Sequence, residues 1–154
     1  MENFNDERAP NALLDRKLLE MIAHAAAGEA AAVEYYNRLS GMLIAADDKK
    51  TVHNIALDEA KHLRLFEELY FNLSGLRMPP LEPSEAKPSH NRQPEGSFPA
   101  IFEERLHDEL GDVEFYRQIY FALANLEYRD ILFEAITDEL RHAQLMGLLY
   151  SKYR

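Results

Sequence analysis

The chain has 154 residues, 47% of them hydrophobic, no cysteine and a formal net charge of −10. That is enough apolar material for one domain with a buried core, and it excludes disulfides, iron–sulfur clusters, rubredoxin-type iron and thiol catalysis within these residues. The acidic balance offers no basic footprint for nucleic acid and would be repelled by anionic lipid, and the longest apolar runs are far too short to span a bilayer.

Residues 1–12 are expected to be a flexible N-terminal segment. Met1–Pro10 is polar and acidic without the apolar run of a signal peptide, so a cytoplasmic location is expected. A single domain is expected over 13–154, where apolar positions recur at the helical period nearly throughout. Helix 1 is predicted from Asn11 or Leu13 to about Ala46, with an inward stripe of Ile22, Ala25, Glu29, Val33, Tyr36 and Leu43. Asp47 and Asp48 form the expected turn and cap of helix 2. Its stripe reads Val52, Ile55, Glu59, His62, Phe66, Leu69 and Leu73, and Ser74-Gly75 closes it.

Residues 75–97 hold five of the seven prolines and read as an extended crossover, long enough to run the length of a bundle. Such a crossover would set helix 3 parallel to helix 2. Helix 3 is predicted from Phe98 to about Ala124, with stripe Phe102, Leu106, Glu109, Val113, Tyr116, Tyr120 and Leu123. A turn around Asn125–Arg129 leads to helix 4, with Leu132, Ala135, Glu139, His142, Met146 and Leu149. Nothing reads as a strand. The expected fold is all-α, a four-helix bundle of two helical hairpins joined by a long crossover.

The two hairpins repeat each other. Glu59-Ala60-Lys61-His62 and Glu139-Leu140-Arg141-His142 are both Glu-x-x-His, and each follows by 30 positions a Glu with a Tyr seven residues on: Glu29 with Tyr36, Glu109 with Tyr116. All four elements share an offset of 80 positions, as do Val33 and Val113, Glu34 and Glu114, Asp58 and Asp138, and Leu65, Leu69 and Tyr70 with Leu145, Leu149 and Tyr150. The halves should therefore be related by a pseudo-two-fold axis, and a site on it would draw on both.

Residues three apart on a helix share a face, with Cβ atoms about 5–6 Å apart. Glu59 with His62 can thus reach one ion, and Glu139 with His142 another, while Glu29 and Glu109 stand singly on the partner helices. Each Glu falls where the period calls for an apolar side chain. A buried unpaired carboxylate is costly, and four together repel. Two divalent cations would neutralise four carboxylates and leave room for two neutral imidazoles. One Glu-x-x-His arises easily by chance on an exposed helix; two copies at the repeat offset, each with a stripe Glu, do not.

Tyr36 and Tyr116, two turns beyond Glu29 and Glu109, are the candidate catalytic side chains: they are either ordinary core tyrosines or hydroxyl donors to the ligand carboxylates. Asp112, three residues beyond Glu109 and opposite Ala32 in the repeat, is either a further metal ligand or an exposed acid. Glu34 and Glu114 lie roughly 140° around their helices and read as partly exposed. His24, His53, His90 and His107 have no histidine at the repeat position and read as surface residues or neighbours of the site.

The order Glu29-x6-Tyr36, Glu59-x-x-His62, Glu109-x6-Tyr116, Glu139-x-x-His142 resembles the rubrerythrin branch of the ferritin-like superfamily, over about Leu13 to Tyr150. The Glu-x6-Tyr element is more similar to rubrerythrins than to ferritins, bacterioferritins or monooxygenase subunits. The resemblance implies a ferritin-like bundle around a non-haem centre of two Fe ions, bridged by Glu59 and Glu139, with Glu29, Glu109, His62 and His142 as terminal ligands. Mn or Zn are the alternative metals. Two departures stand out. Rubrerythrins proper carry a rubredoxin module, and these residues hold no cysteine to build one, so an external electron-transfer protein such as a rubredoxin is expected. Rubrerythrins also carry a helix-3 glutamate three residues after the first, where this chain has the shorter Asp112.

The expected function is a peroxide-reducing oxidoreductase of oxidative stress, acting on peroxide or dioxygen. The alternatives are a ferroxidase or iron-capture protein, a di-manganese catalase-like enzyme and a metal-free scaffold. No fifth helix of the ferritin kind is apparent, which counts against a storage cage. A homodimer is expected, with neither nucleic acid nor membrane as partner.

Overall fold

The structure, a computed structural model, describes residues 8–80 and 92–154, with side chains from Asp15 onward. Four helices account for most of it: α1 (Arg8–Met42), α2 (Ala46–Ser74), α3 (Phe98–Ala122) and α4 (Leu126–Tyr153). No strand occurs among the described residues, and no helix is long and apolar enough to cross a membrane.

The helix ends differ from the sequence reading by a few residues. Of the N-terminal segment 1–12, residues 8–12 are helical and the rest lies outside the described residues. The first helix stops at Met42, and Ala46 opens α2 instead of closing α1. Ala45 caps α2 without a side-chain hydrogen bond, which places Asp47 and Asp48 inside the first turn, where negative charge suits the helix dipole. Asp48 is also a tether. It accepts from Lys152 Nζ at 2.7 and 2.8 Å and from Tyr153 Oη at 2.7 Å, tying the start of α2 to the end of α4.

Gly75 closes α2 as expected, in the left-handed region at φ 70°, with its N–H on Phe71 O at 2.8 Å. Asn125 caps α4 by accepting the N–H groups of Glu127 and Tyr128 at 2.7 and 3.3 Å, so the turn expected through Arg129 shrinks to residues 123–125.

Helix directions follow from the side-chain pairs between hairpins. Tyr36 reaches Glu109 and Tyr116 reaches Glu29, so α1 and α3 are antiparallel. His62 meets Asp138, His142 meets Asp58 and Lys152 meets Asp48, so α2 and α4 are antiparallel too. The tight connection turns α4 back along α3, which leaves α2 and α3 parallel. They sit at opposite corners, since α1 packs on α2 and α3, and α4 on the same two. Two antiparallel hairpins with parallel inner helices require a connection that runs the bundle's length. Residues 81–91 of that connection lie outside the described residues.

The core is two apolar clusters with a charged layer between them. Ile22, Phe66, Ile119 and Leu132 belong to one, Tyr35, Leu39, Phe102 and Met146 to the other. The 80-residue offset carries each cluster onto the other, Ile22 onto Phe102 and Phe66 onto Met146. The pseudo-two-fold axis therefore crosses the bundle at the layer between. Among the stripe residues Leu73, in the last turn of α2, is exposed, and Val33, Leu106 and Tyr120 are half-buried.

Candidate metal centre

The layer holds Glu29, Glu59, His62, Glu109, Glu139 and His142, none more than 4% exposed. Their ligating atoms fall into two groups. Glu29, Glu59, His62 and Glu139 form one; Glu59, Glu109, Glu139 and His142 form the other, with the atoms of each within 4.8 Å of one another. Glu59 and Glu139 belong to both. The i, i+3 spacing brings each histidine to its own helix's glutamate, with Nδ1 facing inward: His62 Nδ1 lies 3.2 Å from Glu59 Oε2 and His142 Nδ1 lies 3.1 Å from Glu139 Oε2. Across the bundle, His62 Nδ1 is 3.7 Å from Glu29, and His142 Nδ1 is 3.3 Å from Glu59 and 3.5 Å from Glu109. The two rings lie 6.0 Å apart.

The outer edges of the site are cross-braced. Tyr36 on α1 donates its hydroxyl to Glu109 on α3, and Tyr116 on α3 donates to Glu29 on α1. Neither tyrosine serves the glutamate of its own helix, which two turns put out of reach. His62 Nε2 is 3.2 Å from Asp138 Oδ2, and His142 Nε2 is 3.3 Å from Asp58 Oδ2. An aspartate on the outer nitrogen holds the ring's N–H there and leaves Nδ1 as the acceptor that a metal requires. The aspartates are in turn held by cations: Lys61 Nζ on Asp138 at 3.1 Å, Arg141 Nη2 on Asp58 at 2.8 Å. These contacts lower the pKa of both acids; for Asp58 the His142 hydrogen bond leads, and for Asp138 the His62 and Lys61 contacts outweigh burial.

Without a cation the layer settles its charge with protons. Burial, then the neighbouring carboxylates, drives Glu29 and Glu139 well above the usual carboxylate range. Burial also pushes Glu59 up, but the His142 and His62 imidazoles together outweigh it and hold Glu59 low. Burial pushes both histidines down and the carboxylates overcome it; His62 is raised to about 10 and His142 is raised as well. Tyr36 and Tyr116 are pushed up by burial first and by Glu109 and Glu29 next, so both hydroxyls stay protonated donors.

The donor set suits metal. Glu139 Oε1 is buried without a hydrogen bond; His62 Nδ1, 2.9 Å away, does not point an N–H at it. A buried carboxylate oxygen with no donor is costly unless a cation takes its lone pair. Carboxylate oxygens and imidazole nitrogens bind divalent ions at about 2.0–2.2 Å, which matches donor atoms that lie within 4.8 Å of one another. These buried groups can hold a metal ion.

Of the other sequence candidates, Asp112 is buried on α3, at 8% exposure, but belongs to neither group. Glu34 and Glu114 face solvent beside Arg38 and Arg117. His53 and His107 are exposed, His24 packs edge-on to Phe115, and His90 lies outside the described residues. In the sequence Asp58 and Asp138 stand out as repeat partners, with no chemical role assigned to them. Their position immediately before each Glu-x-x-His was the available signal. Arg105, 1% exposed, has no role in the sequence reading, although its repeat partner Ala25 lies in the inward stripe of helix 1.

No protein-family model matches the chain. It is 27% identical over 129 residues to the protein YhjR of Bacillus subtilis (strain 168), described there as uncharacterized, in an alignment that covers 84% of this chain and 83% of that protein.

Proposed function

We propose that the chain is a non-haem di-iron protein that reduces peroxide with electrons from an external donor. The observation that carries this reading is the pair of donor groups sharing Glu59 and Glu139, sealed between two apolar clusters. Glu59 and Glu139 would serve both ions, with Glu29 and His62 completing one set of donors and Glu109 and His142 the other. Two ferrous ions, when bound, supply the two electrons that cleave the O–O bond, and peroxide with two protons leaves as two waters.

The chain's own residues prepare that site. Tyr36 and Tyr116 hold Glu109 and Glu29 in place through one carboxylate oxygen each. Asp138 and Asp58 keep the Nε2 protons outside. The apolar clusters on both sides exclude bulk water, which strengthens every charge interaction inside. Manganese or zinc could occupy the same oxygen and nitrogen donors.

The test is a peroxide challenge of protein loaded anaerobically with Fe²⁺. Consumption should stop near one peroxide per two irons and resume when a rubredoxin and its reductase are added. Sustained peroxide removal without reductant would overturn the reading in favour of a catalase-like cycle; uptake of many irons per chain would favour storage. A homodimer is part of this proposal, and light scattering tests it.

A further inference from the structure

The 80-residue offset maps ligand onto ligand, yet one face of α3 differs in kind from its counterpart on α1. Arg105 stands where the first half has Ala25, Asp108 where it has Gly28, and Asp112 where it has Ala32. Arg105 is 1% exposed; its guanidinium bonds Asp108 and lies 4.3 Å from the centre of the Tyr35 ring. It precedes Glu109 by one helical turn, on the same face. Its neighbour Tyr35 is followed in the chain by Tyr36, whose hydroxyl donates to Glu109. Behind Glu29 the equivalent place holds the methyl of Ala25, 3% exposed.

The two half-sites thus sit in different fields. A buried guanidinium paired with Asp108 lies behind Glu109, where Ala25 and Gly28 stand behind Glu29, although the ligands are the same.

We propose that the buried guanidinium of Arg105 makes the two metal positions unequal, so that a divalent ion fills the Glu29–His62 position first and the Glu109–His142 position second and more weakly. This rests on the reading of the layer as a two-metal centre. A cation inside the bundle repels an incoming cation through an effective dielectric near about 20, not 80, and Asp108 offsets only part of that. The expected difference between the two steps is about tenfold or more.

Metal-free protein titrated with Co²⁺, against a chromophoric chelator and by visible absorption, tests it. The wild type should bind two ions in two resolved steps. His62→Ala should remove the tighter step and His142→Ala the weaker one. Arg105→Ala, which installs the residue of the other half, should bring the steps within about threefold of each other. Arg105→Met keeps the buried bulk without the charge and serves if the alanine variant does not fold; the two histidine variants decide the order of filling in any case. Two ions in a single step, loss of the weaker step in His62→Ala, or an unchanged ratio on neutralising Arg105 would overturn the inequality and leave the two-metal reading standing. No cobalt binding at all would overturn both.

Discussion

In the α1–α2 hairpin, Glu29, Tyr36, Asp58, Glu59 and His62 occupy the positions that Glu109, Tyr116, Asp138, Glu139 and His142 occupy in the α3–α4 hairpin. Each tyrosine and each aspartate acts on the opposite hairpin, so neither half completes its own ligands. Around the glutamates Glu29 and Glu109 the halves part: Ala25, Gly28 and Ala32 on α1, Arg105, Asp108 and Asp112 on α3. A ligand position must present a donor atom at one place, which few side chains can do. The layer behind must only fill volume and balance charge, and small residues or a buried ion pair both achieve that. Identical ligands therefore do not make identical sites.

The largest break removes what the halves share. Glu59→Ala with Glu139→Ala takes a carboxylate pair from both donor groups, and metal content by mass spectrometry should fall to background. Retention of two ions per chain would end the bridging assignment. A single His62→Ala or His142→Ala should cost one ion each.

Metal removal comes next, and its effect should depend on pH. In the metal-free protein His62, raised to about 10, and His142, also raised, add stability that is fully present below the unfolded value of about 6.5 and is lost as pH rises through the folded value. Glu29 and Glu139, raised by burial, oppose folding increasingly once pH exceeds their unfolded value of 4.5. Both trends favour mild acid. Glu59, held low, stabilises above 4.5 and loses that contribution in stronger acid, which bounds the optimum from below. The melting temperature of chelated protein should therefore peak in mild acid and fall toward about pH 10. Bound metal displaces the imidazole protons, so added metal should raise the melting temperature most at neutral to alkaline pH, with proton release on binding. Melts that coincide with and without metal across this range would place the glutamates outside any metal site.

Asp138→Asn and Asp58→Asn should sharpen the comparison at smaller cost. Each removes a charged partner from one histidine, and each should weaken one ion by about 10–100-fold, Asp138→Asn at the His62 position and Asp58→Asn at the His142 position. The same ion weakened by both variants would contradict the cross-bracing. Smallest of all, Glu34→Gln and Glu114→Gln should leave metal content unchanged and stability within about 0.5 kcal/mol by denaturant unfolding, since both face solvent.

Much of this was legible because it is local. The helical period, the Gly75 stop and the placing of Glu59 with His62 on one face depend only on neighbours three or four residues away. Helix ends were less legible where the cap is silent: Ala45 makes no side-chain bond, so nothing marks the start of α2, whereas Asn125 does cap α4 and its signal was read as turn.

The sequence by itself determined the four helices, the repeat and which glutamates and histidines would share a layer, because helix periodicity converts spacing into direction. Only the tertiary structure decided that Tyr36 serves Glu109 and not Glu29, that His62 turns Nδ1 inward against Asp138 outside, and that Arg105 is buried over Tyr35. Those contacts join residues 73 or more positions apart, or fill space that exists only once four helices pack. They are set by the antiparallel register between hairpins, and no local spacing encodes it.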